Sequence, residues 1–166
     1  MSGIYRIEFG NLYEKLLREG RLFSAVTNHS GLSSGFNTLA AIQNPSASGK
    51  LIIVFGIEIQ VNVATSAQMN EVDGLLYRNP TISANGSAVT PRNLLIGNSI
   101  TPSANIRSGP TFSANGDLIQ AGSNINAPAI LSPFALAENN IAGLNVRIND
   151  TSNTVGIKYI FGEIPA

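Results

Sequence analysis

The chain has 166 residues, with ten basic side chains against ten acidic ones, and only 12% of residues are charged, about half the usual share. No Lys/Arg cluster of the kind that neutralises phosphates is present, so nucleic acid is excluded as an expected partner, and 43% hydrophobic content excludes wholesale disorder. There is no cysteine, hence no disulfide framework and no thiolate metal site; stability has to come from a core or from self-association.

The first residues, Met1-Ser2-Gly3-Ile4-Tyr5-Arg6, show no apolar h-region, so synthesis in the cytoplasm without Sec export is expected. The longest apolar run, 51–57, is far short of a membrane span, and no membrane partner is expected. One stretch has helical spacing. Asn11 is placed to cap it, Leu12, Tyr13, Leu16 and Leu17 fall on one stripe, Glu14 faces Arg18 at i,i+4, and Gly20 supplies the stop. Together with Ile4, Ile7 and Phe9 this segment is too apolar for a solvated tail. Residues 1–20 are therefore read as an N-terminal arm with a short helix. It either closes one end of its own domain or reaches a neighbouring subunit. Residues 21–166 are read as the domain proper.

From there the period is that of β-structure. Strands are predicted at 21–27 and 38–43, followed by a turn at 44–49. Next comes one long strand over 51–63, in which Leu51, Ile53, Phe55, Ile57, Ile59, Val61 and Val63 alternate with the other face. Further strands are predicted at 72–78, 99–107, 118–121 and 129–137. The alternating runs 144–149 and 155–162, joined by Asp150-Thr151-Ser152-Asn153, read as a hairpin. Eight or nine strands with turn signals between them predict an all-β fold, an antiparallel sandwich. The irregular stretches 81–98 and 121–128 are too long for passive turns, and a jelly roll accommodates such excursions between strands of opposite sheets.

An internal echo stands out. Pro-Thr-x-Ser-Ala-Asn-Gly occurs at 80–86 and again thirty residues later at 110–116, preceded by Asn79 and Gly109. Both copies carry turn residues, and Asn-Gly suits a type I′ connection. The expectation is one loop shape used twice at the same end of the sandwich, with Gly86 and Gly116 at φ > 0 and Asn85 and Asn115 in turn positions. Arg78, Arg92 and Arg107 recur near these loops; protein–protein contact is the first reading for them, phosphate or glycan binding the second.

Catalytic readings find little purchase. His29 is the only histidine, so a transition-metal site or a Ser-His-Asp triad has a single imidazole to draw on, and a loop histidine is the plainer reading. Glu71 and Asp73 lie two apart and are compatible with a calcium pair, but the dense ligand loop is missing and a solvated rim is favoured. No Gly-x-Ser-x-Gly occurs, and 31–35 lacks the length and lysine of a phosphate loop. No enzyme activity, cofactor or metal is expected.

The residues also carry a resemblance. Leu12-Tyr13-Glu14-Lys15 with Arg18-Glu19-Gly20-Arg21-Leu22-Phe23, then Asn44-Pro45-Ser46-Ala47-Ser48-Gly49-Lys50, Tyr77-Arg78-Asn79-Pro80-Thr81 and Thr90-Pro91-Arg92-Asn93-Leu94 resemble structural proteins of tailed bacteriophages. The chain is most similar to the small jelly-roll virion proteins that decorate or cement the capsid, along roughly 12–161. What the resemblance implies is a homotrimeric jelly roll of about eight strands on the virion surface, bound to a lattice of major capsid protein. Contacts would fall on Ile4, Phe9, Leu12, Tyr13, Leu16, Leu17, Arg78, Arg92 and Arg107. Related jelly rolls serve as head-fibre or tail-associated receptor-binding modules, so recognition of a host glycan is the alternative. Sugar sites stack their ligand on exposed aromatics. This sequence has no Trp, four Tyr and seven Phe, most of them in strand patterns, which favours cement.

Overall fold

The computed structural model of the protein describes residues 9–62, 71–125, 129–131 and 133–166. Among the described residues a single short helix, α1 (Phe9–Arg18), precedes the strands. Two sheets of six strands each and a two-stranded ribbon follow, with every pairing antiparallel. The protein is all-β, with one short helix among the described residues.

The first sheet runs β11 (Ala129–Leu131), β3 (Lys50–Asn62), β14 (Thr154–Pro165), β1 (Leu22–His29) and β7 (Arg92–Asn93), with β12 (Phe134–Leu136) also on β3. The second runs β10 (Asp117–Ile125), β4 (Glu71–Arg78), β13 (Asn140–Ile148), β2 (Asn37–Asn44), β8 (Asn105–Ser108) and β6 (Ser87–Val89). One apolar core joins them: Phe23, Val54, Ile57, Ile59, Ile157 and Phe161 from the first sheet meet Ile42, Val72, Leu76, Leu144, Val146 and Ile106 from the second. Ile59 reaches across to the backbone of Gly74, where any added Cβ would collide with it. This is sheet packed on sheet, and residues of period two supply both inner faces.

The middle of the second sheet is covered on both sides. Along β2 and β13, Leu39 to Ile42 and Ala142 to Val146 are all buried, because the ribbon of β5 (Thr81–Ala84) and β9 (Thr111–Ala114) lies on the outer face. Phe112 and Pro80 sit directly on Gly143, which leaves no room for a Cβ. The unbroken buried run in these two strands therefore has a local cause. Over these residues they have no solvent face.

Several expectations need correction. The helix begins at Phe9, so Asn11 lies inside it rather than capping it. The 144–149 and 155–162 runs are not a hairpin: β13 pairs with β2 and β4, whereas β14 pairs with β1 and β3. The polar link, tied by Ser152 donating from N and Oγ to Asp150 Oδ1, leads from one sheet to the other. The predicted 99–107 strand contracts to Asn105–Ser108, while 118–121 lengthens to Asp117–Ile125. The 129–137 strand is interrupted near Pro133, whose ring removes a ladder donor, and becomes β11 and β12. The stretch 81–98 holds three short strands, and the last position of the predicted long strand, Val63, lies outside the described residues.

Candidate interaction surface

The echo is two segments paired with each other. Ile82 faces Phe112 across the ribbon, Ser83 Oγ donates to Thr111 O at 3.3 Å, and Ser113 Oγ returns the bond to Thr81 O at 3.4 Å. The reciprocity extends beyond the ribbon. Asn79 N donates to Ile141 O and Gly109 N to Leu39 O, both at 2.8 Å. Strand β6, which follows the first copy, pairs with β8, which precedes the second; β10, which follows the second, pairs with β4, which precedes the first. The sheet order β10-β4-β13-β2-β8-β6 is thus symmetric about the β13–β2 boundary. A two-fold relation within a single polypeptide follows.

Gly86 and Gly116 have φ of 64° and 78°, as expected, and each presses on the strand that precedes the other copy. An added Cβ at Gly86 would overlap the Ser108 carbonyl, and one at Gly116 the Arg78 carbonyl. The type I′ expectation fails, however. Asn85 and Asn115 are not at positive φ, and the flanking strands pair elsewhere, so each Asn-Gly is a crossing from ribbon to sheet. The two segments do lie together, on the same face.

The helix is docked on its own sandwich. Leu16 is 0% exposed and packs against Gly162 of β14. Tyr13 meets Phe55 edge-on, with ring centroids 5.3 Å apart. Leu12 and Leu17 are half-buried. The end is a Schellman closure, with Gly20 N bonding Leu17 O at 3.1 Å and Arg21 N bonding Leu16 O at 2.8 Å. Phe9 is the first helical residue, while Ile4 and Ile7 lie outside the described residues.

The three arginines are not brought together. Arg78, at the end of β4, pairs with Asp117 at 2.7 Å on the surface. Arg107 lies on β8 in the same sheet, beside Ala41 and Ala88. Arg92 sits on β7 at the edge of the other sheet, opposite Ser24. An anion site shared by all three has no geometric support among the described residues.

An apolar loop tip, absent from the expectations, is the more prominent surface. Ile96 is 98% exposed, flanked by Leu95 and Ile100, themselves open to solvent. Asparagines brace the tip. Asn93 Oδ1 accepts from Leu95 N at 2.9 Å, and Asn98 Oδ1 accepts from Ile100 N at 2.8 Å. Asn93 Nδ2 also donates to Gly20 O at 2.7 Å, and Asn98 lies against Gly20 itself. The tip is therefore fastened to the end of the helix. The signal present in the sequence is Leu94-Leu95-Ile96, an apolar run between asparagines in a region with no strand period.

Chemistry-bearing groups are dispersed. His29 Nε2 lies 2.9 Å from Thr27 Oγ1, and burial pulls its pKa below the usual imidazole value. A polar cleft of about 400 Å³ beside it is lined by Ser30, Asn37, Thr38 and Phe112, with no carboxylate to orient the ring. Asp73 is paired with Arg147 rather than with Glu71. Among the described residues, no group of three or more His, Asp or Glu is placed to hold a metal ion, and no helix is long and apolar enough to cross a membrane. A second groove, of about 350 Å³, runs between Ile119 and Phe134 at the β10 edge.

Comparison with known proteins adds no relative: the sequence and fold match no protein-family model, no curated protein and no solved structure.

Proposed function

We propose that the protein is a structural virion component, a capsid decoration or cement protein that assembles as a homotrimer, binds the major capsid protein lattice and has no catalytic role. The observation that carries a contact role is the Leu95–Ile96–Ile100 tip, an apolar surface braced by asparagine hydrogen bonds and open to solvent. Ordering such a tip beforehand lowers the entropy cost of binding. The virion assignment rests on the resemblance of segments between 12 and 161 to phage decoration proteins.

Strand order supports the finer fold assignment. Strands β1, β14, β3 and β11 in one sheet and β2, β13, β4 and β10 in the other follow the alternation of an eight-stranded jelly roll. The segment between β4 and β10 is then an insertion that carries the echo and the apolar tip. It also extends both sheets at one edge, through β7 on β1 and β8 on β2. Cement action needs only mass action: a protein that binds the assembled shell and not its parts stabilises the shell by its binding free energy.

One observation favours the alternative, a head-fibre or tail-associated module for a host glycan. Phe36 is 43% exposed with the Arg147 guanidinium 5.2 Å from its ring centre, an aromatic face beside a paired charge. It is the one exposed aromatic ring among the described residues, and the first reading is preferred. The test is deletion of the gene from the phage that carries it. Cement action predicts particles that adsorb normally but open at lower temperature. Normal particle stability with lost adsorption would replace this reading by the glycan one.

A further inference from the structure

The two Asn-Gly pairs are identical in sequence and equivalent in the fold, yet their side chains are held differently. Asn115 Oδ1 accepts from Asn145 Nδ2 at 3.2 Å, and Asn145 is itself fixed by Thr38 Oγ1 at 2.9 Å. Both asparagines are exposed, but the Asn85 side chain has no hydrogen-bond partner among the described residues. The backbone downstream differs as well. Both lead into an edge strand of the second sheet, but Gly116 into β10, nine residues long, and Gly86 into β6, three residues long. So short an edge strand opens at little cost, which gives the backbone at Gly86 room to reach the ring geometry.

We propose that Asn85 is a site of spontaneous, self-catalysed backbone modification, and that Asn145 protects its twin, Asn115, from the same reaction. The deprotonated amide nitrogen of Gly86 attacks Cγ of Asn85. The new N–Cγ bond closes a five-membered succinimide as the bond between Cγ and Nδ2 of Asn85 breaks, and ammonia leaves with the proton. Water then opens the ring at either carbonyl, giving aspartate or isoaspartate. No oxidant or enzyme enters the balance. Glycine is required at the second position because it has no side chain to obstruct the approach. Each event adds one negative charge to a protein of zero net charge. The isoaspartyl product also lengthens the backbone by one carbon beside Gly86, which is wedged on the Ser108 carbonyl. Modification therefore loosens the β6–β8 end of the sheet and one end of the ribbon, and it marks the age of the molecule.

The full-length protein, incubated at mildly alkaline pH in amine-free buffer, is sampled over time. Conversion is read by peptide mass spectrometry and by enzymatic methylation of isoaspartate. Ring closure requires the Asn side chain to rotate toward the next amide nitrogen; giving up the bond from Asn145 on that rotation slows Asn115 about fivefold, so Asn85 is expected to convert at least about five times faster than Asn115 in the folded protein. The two should convert equally in denaturant. Asn145→Ala should raise the Asn115 rate alone, and the wild-type ratio decides the matter even if that variant folds poorly. Equal rates in the folded wild-type protein, a faster Asn115, or conversion confined to denatured protein would each overturn the proposal.

Discussion

Asn79 and Gly109, thirty residues apart, occupy equivalent left-handed positions, with φ of 49° and 59°, where each strand of the second sheet turns out into the ribbon. Both donate their backbone N–H to a central strand of that sheet, at 2.8 Å. Glycine and asparagine are the residues that accept this conformation most readily, which accounts for the two residue types found at this flanking position of the echo. The relation converts a sequence repeat into a structural one.

If the two copies are held by the same interactions, Gly86→Ala and Gly116→Ala should cost similar amounts. Each replacement combines strain at positive φ with overlap of a carbonyl, so a loss of more than about 1 kcal/mol is expected for both. Urea unfolding measures it. A large cost at one position and none at the other would contradict the two-fold relation.

The helix is part of the domain's packing. Leu16→Ala should cost about 2–4 kcal/mol, as for other fully buried leucines, whereas Leu17→Ala at a half-buried position should cost clearly less. Thermal or chemical denaturation of the two variants makes the comparison. Equal small effects would mean that the helix is only loosely attached.

Tyr159 is fully buried, its hydroxyl has no partner among the described residues, and burial raises its pKa far above the ordinary phenol value. Removing an unsatisfied buried hydroxyl costs nothing in hydrogen bonding. Tyr159→Phe should therefore be neutral or stabilising, by up to about 1 kcal/mol. A loss of stability in the melting curve would reveal a partner for that hydroxyl.

Burial lowers the pKa of His29 in the folded protein, so the unfolded polypeptide binds the proton more readily. Stability from this group is complete above the ordinary imidazole pKa and is lost as pH falls from there toward the folded value. His29→Gln should flatten the decline in stability over that acid window and leave the neutral-pH melting temperature nearly unchanged. Titrated melting curves of both proteins test the sign.

Much of the architecture is legible in the residues, and the misreadings have physical causes. The alternation in 155–162 marks β14 because that stretch has one dry face, whereas in 51–63 a bulge at Phe55 makes Ile52 and Val54 the core residues before it and Ile57 and Ile59 those after it, so the face read from the sequence is the core face only beyond the bulge. The hairpin reading of 144–149 with 155–162 fails because alternation states which face is dry and not which sheet owns the strand. The echo announces a repeated conformation, but its partner is the other copy, a pairing over thirty residues that local turn chemistry does not encode. Stretches 81–98 and 99–107 are illegible for another reason: β5 to β8 are too short to show a period. Among the contact residues, Leu12, Leu16 and Leu17 do form an apolar stripe, yet Leu16 is buried within its own domain. The tip at Ile96 escapes a sequence reading because an apolar residue in a loop looks like core until its exposure is known.

The contact role depends most on that tip. Ile96→Asp lies on an exposed loop and should leave the fold and melting temperature intact within about 0.5 kcal/mol. The decisive measurement is co-sedimentation of the purified protein, wild type and Ile96→Asp, with capsid shells prepared without it. Cement action through the tip requires saturable binding of the wild type, a higher opening temperature for the decorated shells, and loss of both in the variant. A folded wild-type protein that stays in the supernatant when the shells pellet, or an Ile96→Asp variant that binds them equally well, would refute that role.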